Sequence, residues 1–284
     1  NIGDVTTTDG NARRVMEGKL INEFYLLDTY SGDGSHFFAD GSVNPAGGPK
    51  DGMIRTPEDM LWLQALNEAG ATFLPNKTIG KKGIWYGDYI YADANGDGVY
   101  GDVNDYMFTG TSMTPKFYYG IQFELGWKGI DFSMLWNGSG GAQCYWRYVG
   151  FNAYSTGGYF TLPKKIAYDH YFYDPENPED PRTNITSGHA RLTMNYGSEQ
   201  NDGQCTSKLF LYDTDYLRLK NLTIGYTFPQ KWMKKISVSD FRLFFSGENL
   251  LTFTKYPGMD PEISDTMNYY ALLRQYSFGL SLKF

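Results

Sequence analysis

The sequence predicts an all-β fold, namely a transmembrane antiparallel β-barrel with long extracellular loops. Three observations support this prediction. Apolar and polar residues alternate strictly along several segments, short and long connections alternate between these segments, and aromatic residues are concentrated at the segment ends. Together these features favour strands that cross a bilayer over strands that pack in a soluble core.

Alternation is clearest in the last segment of the sequence. Between Gln275 and Phe284, polar or small residues occupy one parity and apolar residues occupy the other. About ten residues in a strand tilted by about 45° are enough to span a bilayer. The apolar set is Tyr276, Phe278, Leu280, Leu282 and Phe284. This segment is therefore predicted to be a strand with one apolar and one polar face.

Other segments repeat this pattern. The five predicted strands cover about residues 116–127, 130–140, 216–228, 241–253 and 275–284. A sixth, less regular strand is predicted over residues 19–30. The turn at Lys128-Gly129 joins the first two strands of the set as a hairpin. A change of parity near Lys220-Asn221 predicts a β-bulge or an exit from the membrane.

The connections between the strands alternate in length. Those at 128–129 and 229–240 are short, whereas those at 141–215 and 254–274 are long and rich in Gly, Pro, Asp, Asn and Tyr. Short turns on one side and long loops on the other are typical of outer-membrane barrels. A soluble β-sandwich also contains alternating strands, but its loop lengths need not sort by side.

The two parities of the strands carry different side chains. On the polar parity, the residues that we expect to face a water-filled lumen are Gln122, Glu124, Arg242 and Glu248. On the apolar parity, aromatic residues lie near the strand ends, where a membrane barrel has its interfacial girdles: Phe117, Trp127, Trp136, Phe228 and Phe284. In a soluble sandwich the apolar face would pack against a second sheet instead.

The composition limits the possible classes of protein. The chain has 284 residues, of which 41 % are hydrophobic and 20 % are charged, so it can form a sizeable core. Its mean hydropathy is −0.46, and it contains no run of apolar residues long enough for a transmembrane helix. A net charge of −7 argues against nucleic acid as a partner. The sequence begins at Asn1 without a signal segment, so we expect a processed protein or a piece of a longer one.

One short helix is predicted in the first long loop region. Residues 31–55 are rich in Gly, Asp and Pro, which indicates a loop. Thr56 can then cap a helix, Pro57 suits its first position, and two acidic residues follow in its first turn. A helix over 57–69, ending at Gly70, is therefore predicted to pack among the outer loops.

A calcium-type loop over residues 93–105 is the strongest chemical motif of the sequence. Oxygen-bearing residues at its first, third and fifth positions can converge on one ion, and Gly98 at the sixth permits the sharp turn. The predicted ligands are Asp93, Asn95, Asp97, the Val99 carbonyl and Asp105. The last acid arrives one residue later than in an EF-hand, and the flanks are not helical. We expect a structural calcium ion; the alternative is an Asp/Asn/Gly turn without an ion.

No motif in the sequence predicts catalysis. His36, His170 and His189 lie far apart in loops, and no nucleophile elbow, phosphate-binding loop or defensible carboxylate pair is present. We therefore predict that the chain is not an enzyme and has no organic cofactor. Cys144 and Cys205 flank one long loop, and a disulfide across its base is one interpretation; two free thiols are the other.

Several segments, taken together and in order, resemble the C-terminal part of the SusC/RagA family of TonB-linked outer-membrane transporters. The segments are 91–98, 114–120, 127–133, 216–226, 246–254, 256–262 and 276–284. The first 90 residues match less well, apart from 15–25, which resemble a barrel segment just upstream. In this family the closing strand ends in Phe, and the resemblance implies that the apolar set ending at Phe284 is a signal for outer-membrane assembly.

The resemblance implies much about the whole transporter. It implies a large barrel, of 22 strands in this class, filled by an N-terminal plug whose Ton box contacts TonB. It also implies a SusD-like surface lipoprotein as a lid, import of glycans or peptides, and location in the outer membrane. The chain would then be the C-terminal portion of such a barrel, and its partners would be the rest of the barrel and plug, the TonB complex through the plug, the SusD-like lipoprotein and the lipid bilayer.

The resemblance also implies a role for each part of the chain. Residues 1–115 would form an upstream barrel strand and an outer loop region with the helix and the calcium-type loop, and residues 116–284 the C-terminal barrel strands with their loops. Aromatic residues of the long loop are expected to stack on sugars or to contact the lid, the alternative being loop packing: Tyr145, Trp146, Tyr148, Tyr154, Tyr159, Tyr168, Tyr171 and Tyr173.

Two other functions are compatible with the sequence pattern. One is a stand-alone outer-membrane barrel or adhesin of about eight strands with its own calcium loop. The other is a soluble, secreted, glycan-binding β-protein. A response of the folded state to lipid and detergent distinguishes both barrel hypotheses from the soluble one.

Overall fold

The computed structural model describes residues 13–145, 164–193, 206–263, 270 and 272–284. The chain divides into two compact units. The loop unit comprises Asn1–Thr111 and Tyr145–Leu211, and the sheet unit comprises Ser112–Cys144 and Tyr212–Phe284. This division differs from the sequential boundary expected near residue 115, because most of the described residues of the long connection at 141–215 group with the N-terminal residues.

The sheet unit is built on five long antiparallel strands. The strands are β6 (Phe117–Trp127), β7 (Ile130–Gly140), β10 (Tyr216–Thr227), β11 (Asp240–Thr254) and β12 (Gln275–Lys283). Their order in the sheet is β12-β11-β10-β7-β6. The five long strands predicted from alternation are thus confirmed to within one or two residues at each end.

The β6–β7 hairpin turns at Lys128 and Gly129, whose φ angles are +47° and +88°. Positive φ at both central residues defines the type I′ turn, which matches the twist of the flanking strands. The longer β10–β11 connection contains helix α3 (Gln230–Met233) and a 3₁₀ turn (Lys234–Ile236). A further 3₁₀ turn, Pro261–Ile263, follows β11.

A β-bulge explains the change of parity near residue 220. The register of β10 with both of its neighbours shifts between Leu219 and Asn221. Leu219 pairs with Trp136, and Asn221 pairs with Leu135, so Lys220 is the extra residue. An extra residue restores the alternation on the far side of the bulge, so that Leu219 and Leu222 lie on the same face despite their opposite parity.

The loop unit contains short strands and helices. The strands are β1 (Arg13–Arg14), β2 (Glu23–Leu26), β3 (Thr72–Phe73), β4 (Val99–Tyr100) and β5 (Met107–Phe108); β8 (Gln143–Tyr145) and β9 (Leu211–Asp213) lie where the chain passes between units. The helices are α1 (Pro57–Glu68) and α2 (Lys164–Tyr168), and Lys208–Phe210 forms a 3₁₀ turn.

The sixth barrel strand predicted over residues 19–30 is not found. Only Glu23–Leu26 form a strand there, and this short strand joins β1 and β5 in a separate three-stranded sheet. Phe24, Leu26 and Leu27 are buried in the loop unit. These three apolar residues of the predicted membrane strand therefore belong to a water-excluded core, whereas Leu20 and Ile21 are exposed.

Helix α1 agrees with its prediction. The Thr56 hydroxyl accepts a hydrogen bond from the Asp59 backbone N–H, and the Asp59 carboxylate accepts one from the Thr56 N–H, which forms a capping box. Trp62 anchors the helix, because it is fully buried and its indole N–H donates to the Asn44 carbonyl at 2.8 Å. Across the described ranges, no helix has the length and apolar character needed to cross a membrane.

Candidate functional site

The two faces of the five-stranded sheet differ sharply in chemistry. Residues paired across antiparallel strands point to the same face, so the register assigns a face to each side chain. One face carries exposed apolar residues on every strand, including Ile121, Phe123, Leu125, Ile224, Leu243, Phe278 and Leu280. An apolar surface that is continuous over several strands is typical of a face in contact with lipid or with a partner.

The four residues predicted to face a lumen lie together on the opposite, polar face. Glu124 pairs with Ser133, Arg242 with Thr227, and Glu248 with Asn221. The Gln122 amide donates a hydrogen bond to the Glu124 carboxylate at 2.6 Å. The register thus brings these side chains onto one face, and the assignment of that face to a transport path stays a prediction.

An ion pair spans three strands of the polar face near its short-turn end. Arg242 on β11 donates to Asp131 on β7 through Nε at 2.9 Å and through Nη2 at 2.5 Å. Gly225 lies between them on β10, where a Cβ atom would approach both side chains within 2.6 Å. The absence of a side chain at Gly225 is therefore what allows the pair to form.

A second charged cluster lies at the long-loop end of the polar face, and the sequence analysis did not find it. Arg218 is 2 % exposed and donates to Asp260 at 2.9 Å, to Glu262 at 3.0 Å and to Thr252 at 3.0 Å. The Tyr216 hydroxyl also donates to Glu262. Through these contacts the cluster holds the loop that follows β11 against β10. The sequence offered one sign of this cluster, an arginine at a strand position on the polar face. Its acidic partners, Asp260 and Glu262, lie about 40 residues further along the chain in a loop.

The residues of the predicted assembly signal share the apolar face. Tyr276, Phe278, Leu280 and Leu282 pair with apolar-face positions of β11 from Gly247 to Phe241, and Phe284 follows the strand. All five side chains are exposed. Their geometry is that of a membrane-facing strand, and recognition by assembly machinery stays a prediction.

The predicted calcium loop is wound around the carboxylate of Asp93. Its Oδ1 accepts hydrogen bonds from the N–H groups of Gly96 and Asp97, and its Oδ2 accepts one from Gly98 at 2.8 Å. Gly96 and Gly98 have φ angles of +77° and +83°, which favour glycine. The side chains of Asn95 and Asp97 are exposed near this carboxylate, and the Asn95 amide donates a hydrogen bond to the Asp97 carboxylate at 2.8 Å. This donor set of hard oxygens fits calcium.

Asp105 closes the loop at its base. Its Oδ1 accepts from the N–H groups of Ala94 and Asn95, its Oδ2 accepts from those of Gly101 and Asp102, and the residue is 1 % exposed. Four donors occupy the acceptor positions of this carboxylate, which gives it a structural role without an ion. Among the described residues, no three His, Cys, Asp or Glu side chains form a metal-binding group. Calcium therefore stays a proposal, with Asp93, Asn95, Asp97 and the Val99 carbonyl as the residues that would hold it.

The predicted disulfide lies partly outside the described residues. Cys144 is buried at the end of the sheet unit. Cys205 lies outside the described ranges, so the pairing of these two residues stays a prediction.

A candidate binding site in the loop unit is a pocket of ≈ 590 Å³ with an aromatic wall. Its rings come from residues 85–86 and from 168–173, namely Trp85, Tyr86, Tyr168, Tyr171, Phe172 and Tyr173. Trp85 contacts Tyr86 edge to face at 5.0 Å between ring centroids, and Tyr86 contacts Tyr173 in the same way at 5.1 Å. A concave site lined by aromatic rings with a few polar groups is the usual form of a small-ligand site.

The two arginines of this pocket are neutralised by ion pairs within the protein. Arg182 forms two hydrogen bonds with Asp180, and these bonds lower the pKa of Asp180 to about 2, so the carboxylate stays ionised. Arg191 donates to Asp88 at 2.9 Å. Burial raises the pKa of the Tyr86 hydroxyl, which therefore remains neutral. The pocket thus offers ring faces and neutral polar groups such as Asn184 rather than unpaired guanidinium groups.

The loop aromatics predicted to contact a ligand have different environments. Tyr168, Tyr171 and Tyr173 line the pocket, although Tyr171 is almost fully buried and donates to the Arg55 carbonyl at 2.6 Å. Tyr145 packs against Phe210 instead. Trp146, Tyr148, Tyr154 and Tyr159 lie outside the described ranges. The sequence analysis missed Trp85 and Tyr86, because they lie some 80 residues away from the Tyr-rich segment.

A sheet of long antiparallel strands with one apolar and one polar face defines a class of architecture, the wall of a membrane β-barrel. Structures of the RagAB peptide importer match 97–98 % of this chain and 24 % of their own chain, with TM-scores of 0.58 and 0.60 and 18 % identity, a likeness that shows the fold. No family model matches the chain.

Curated relatives identify the family. The chain is 30 % identical over 212 residues to TonB-dependent receptor P3 of Formosa agariphila, which is 70 % of this chain and 19 % of that protein. It is 23 % identical over 199 residues to TonB-dependent receptor SusC of Bacteroides thetaiotaomicron, which is 69 % and 17 % of the two chains. The chain belongs to the SusC/RagA family of TonB-dependent receptors and is not an enzyme. It spans about a fifth of the length of these relatives.

Proposed function

We propose that this chain is part of a TonB-dependent transporter that imports glycan or peptide nutrients across the bacterial outer membrane. The observation that carries the proposal is the five-stranded sheet, with a continuous apolar face for lipid and a polar face with charged pairs for the lumen. In this function the sheet unit supplies barrel wall, and the loop unit supplies outer loops. The energy for import would reach the barrel through a plug and the TonB complex.

The rest of the barrel and its plug are the first partners that this function requires. Among the described residues, β6 and β12 form the two edges of the sheet. Strand edges carry unpaired N–H and C=O groups, which are too costly to leave in lipid. We expect further strands of the same transporter to pair with both edges.

A SusD-like surface lipoprotein is the second proposed partner. Support comes from the resemblance to SusC and from the fold shared with the RagAB peptide importer. The lid would contact the outer loops, where the aromatic pocket of the loop unit is a candidate contact for substrate. Ring faces of Trp85 and Tyr173 can pack on the C–H faces of sugars or on apolar side chains of peptides.

The proposed function is tested by uptake in cells. The transporter that carries this chain is deleted in its native host, and uptake of a labelled neutral oligosaccharide mixture and of a labelled peptide mixture is followed with and without a protonophore. We expect the deletion and the protonophore to abolish uptake of one mixture. If the deletion strain takes up both mixtures as fast as the parent, the import function is wrong. The lipoprotein partner is tested separately, by identifying the proteins that co-purify with the transporter; we expect a SusD-like lipoprotein among them.

A further inference from the structure

The short-turn end of the sheet unit carries an unusual concentration of positive charge. Five lysines lie there: Lys128 in the β6–β7 turn, Lys231, Lys234 and Lys235 in the β10–β11 connection, and Lys283 at the end of β12. All five are exposed, although the chain as a whole has a net charge of −7. This end therefore differs in charge from the remainder of the chain.

Backbone hydrogen bonds bring these lysines to one edge of the molecule. The Thr227 N–H donates to the Gly129 carbonyl at 2.7 Å, and the Ser239 N–H donates to the Lys283 carbonyl at 2.7 Å. Buried Met233 and Val238 anchor the connection that carries three of the lysines. Since neighbouring strands lie about 4.8 Å apart, the segments that carry the five lysines extend over about 19 Å of sheet width.

Few acidic groups compensate this charge. Asp131 is already paired with Arg242, and Asp240 lies opposite Lys283 in the strand register. Within the part of the chain that the structure describes, none of the five lysines forms an ion pair. Two tryptophans lie near these lysines in the chain. The Lys128 ammonium group is 4.9 Å from the Trp127 ring centroid, and Trp232 is exposed beside Lys231 in the sequence. Tryptophan and lysine together are typical of a bilayer interface.

An apolar groove lies directly beside this basic end. It has a volume of ≈ 520 Å³ and is open on the apolar face of the sheet. Its walls are formed almost entirely by apolar side chains, mainly Ile130, Ile224, Tyr226, Leu243, Phe245 and Phe278. Ile130 follows the turn of Lys128, and Tyr226 lies close before the β10–β11 connection, so the groove extends toward the end of the sheet that carries the lysines.

We propose that this end of the sheet binds an anionic phospholipid, with an acyl chain in the groove and the phosphate against Lys128 and the three lysines of the β10–β11 connection. Lys283 lies on the polar face and adds only to the positive charge of this end. An apolar groove beside exposed ammonium groups is complementary to a lipid with a net negative headgroup. The inference rests on the proposed function, because that function places the short turns at the periplasmic leaflet, which consists of phospholipids. A zwitterionic lipid fills the groove equally well but gains little from the lysines.

The inference is tested on the full-length transporter, delipidated in mild detergent and studied by native mass spectrometry. Phosphatidylglycerol and phosphatidylethanolamine of matched chains are titrated separately, and glycerol phosphate serves as the soluble headgroup alone. We expect phosphatidylglycerol to bind at least tenfold more tightly than phosphatidylethanolamine, and we expect this preference to fall as salt is raised from 50 to 500 mM. Glycerol phosphate alone should bind much more weakly, since it cannot use the groove.

Two variants separate the contributions of charge and groove. The triple variant K231Q/K234Q/K235Q should reduce the preference for the anionic lipid by about fivefold or more in total. The matched control neutralises three exposed lysines of the loop unit, K77Q, K81Q and K82Q, and should leave the preference unchanged. Filling the groove with I224W should weaken both lipids equally, whereas F123W, elsewhere on the apolar face, should not.

Equal binding of the two lipids by the parent protein, or an unchanged preference in the K231Q/K234Q/K235Q variant, overturns the inference. If that variant does not fold, the parent protein decides the question: a lipid preference that does not fall between 50 and 500 mM salt also overturns the inference. Because lipid binding is measured without transport, its failure leaves the import function intact. Conversely, an absence of uptake in cells would not change the lipid titration.

Discussion

Arg218 and Asp260 form a buried ion pair on the polar face of the sheet, with Nη2 2.9 Å from Oδ1 and side chains that are 2 % and 5 % exposed. Glu262 and Thr252 accept further hydrogen bonds from the same guanidinium group. Each buried charge carries a large desolvation cost, which only a fully satisfied arrangement offsets. The pair therefore links β10 to the loop that follows β11, and each charged side chain needs the other to remain buried.

Removal of Arg218 is expected to destabilise the sheet unit strongly. R218A leaves Asp260 buried without a counter-ion, which should cost about 3–5 kcal/mol. Thermal unfolding of the full-length transporter, followed by its heat-modifiable gel mobility, measures this loss. The control K220A removes a partly exposed lysine 3.8 Å from Glu262 and should cost less than about 1 kcal/mol. Equal effects of the two variants would contradict the role assigned to the buried pair.

Phe123 is expected to face lipid near the middle of β6. F123R should therefore cost about 2–4 kcal/mol in the stability of the inserted barrel. The neighbouring Q122R places the same charge on the polar face beside Glu124 and should cost little. Equilibrium unfolding from lipid vesicles, with tryptophan fluorescence as the signal, compares the two. A cost for Q122R that equals or exceeds that for F123R would reverse the assignment of the faces.

Chelation is expected to loosen residues 88–110 if calcium occupies the loop around Asp93. Loops of extracellular modules bind calcium with dissociation constants of about 10⁻⁴–10⁻³ M, so EGTA should remove the ion. Limited proteolysis with mass spectrometry should then show new cleavage in this segment, and D93A should show it without EGTA. The control D40N alters another exposed Asp turn, which contains Ser42, and should leave the chelator response unchanged. Equal protease resistance with and without EGTA would rule out a calcium ion with a structural role.

The capping box of α1 is expected to contribute measurably to the loop unit. T56A removes the hydroxyl that accepts from the Asp59 N–H and donates to the Asp59 carboxylate at 2.9 Å. The expected loss is about 1 kcal/mol, within the 0.5–2 kcal/mol range of such caps. T56S keeps the hydroxyl and should retain most of the stability. Hydrogen exchange of the α1 amides measures the difference, and equal exchange in both variants would contradict it.

The aromatic pocket is expected to affect uptake rather than folding. The double variant W85A/Y173A removes two of its ring faces and should lower the uptake of the mixture that the parent transports by at least fivefold, since each ring contact contributes about 0.5–1.5 kcal/mol. The control F38A truncates an exposed ring of the loop unit that does not line the pocket. Surface-exposed protein is measured in parallel, so that uptake is compared per transporter. If W85A/Y173A and F38A transport equally, the pocket is not a substrate contact.

Local patterns were sufficient for the strands of the sheet unit, because alternation has a period of two and needs no knowledge of distant residues. The bulge near Lys220 was one of two predicted explanations of a parity change that is visible in the sequence alone, the other being an exit from the membrane. The segment 19–30 shows the limit of this approach. Apolar residues at strand-like spacing serve equally in a lipid-facing strand and in a buried core, and burial is not encoded in spacing.

The sequence by itself determined the family, the five long strands with their two faces, the short turns, helix α1 and the loop around Asp93. Each of these depends on residues close together in the chain, through backbone periodicity, capping or turn geometry. Only the tertiary structure decided that Arg218 meets Asp260, that Trp85 and Tyr173 share a pocket, and that the lysines adjoin an apolar groove. Such contacts join residues tens of positions apart, and their energies arise from burial and pairing that exist only after the strands and loops have packed.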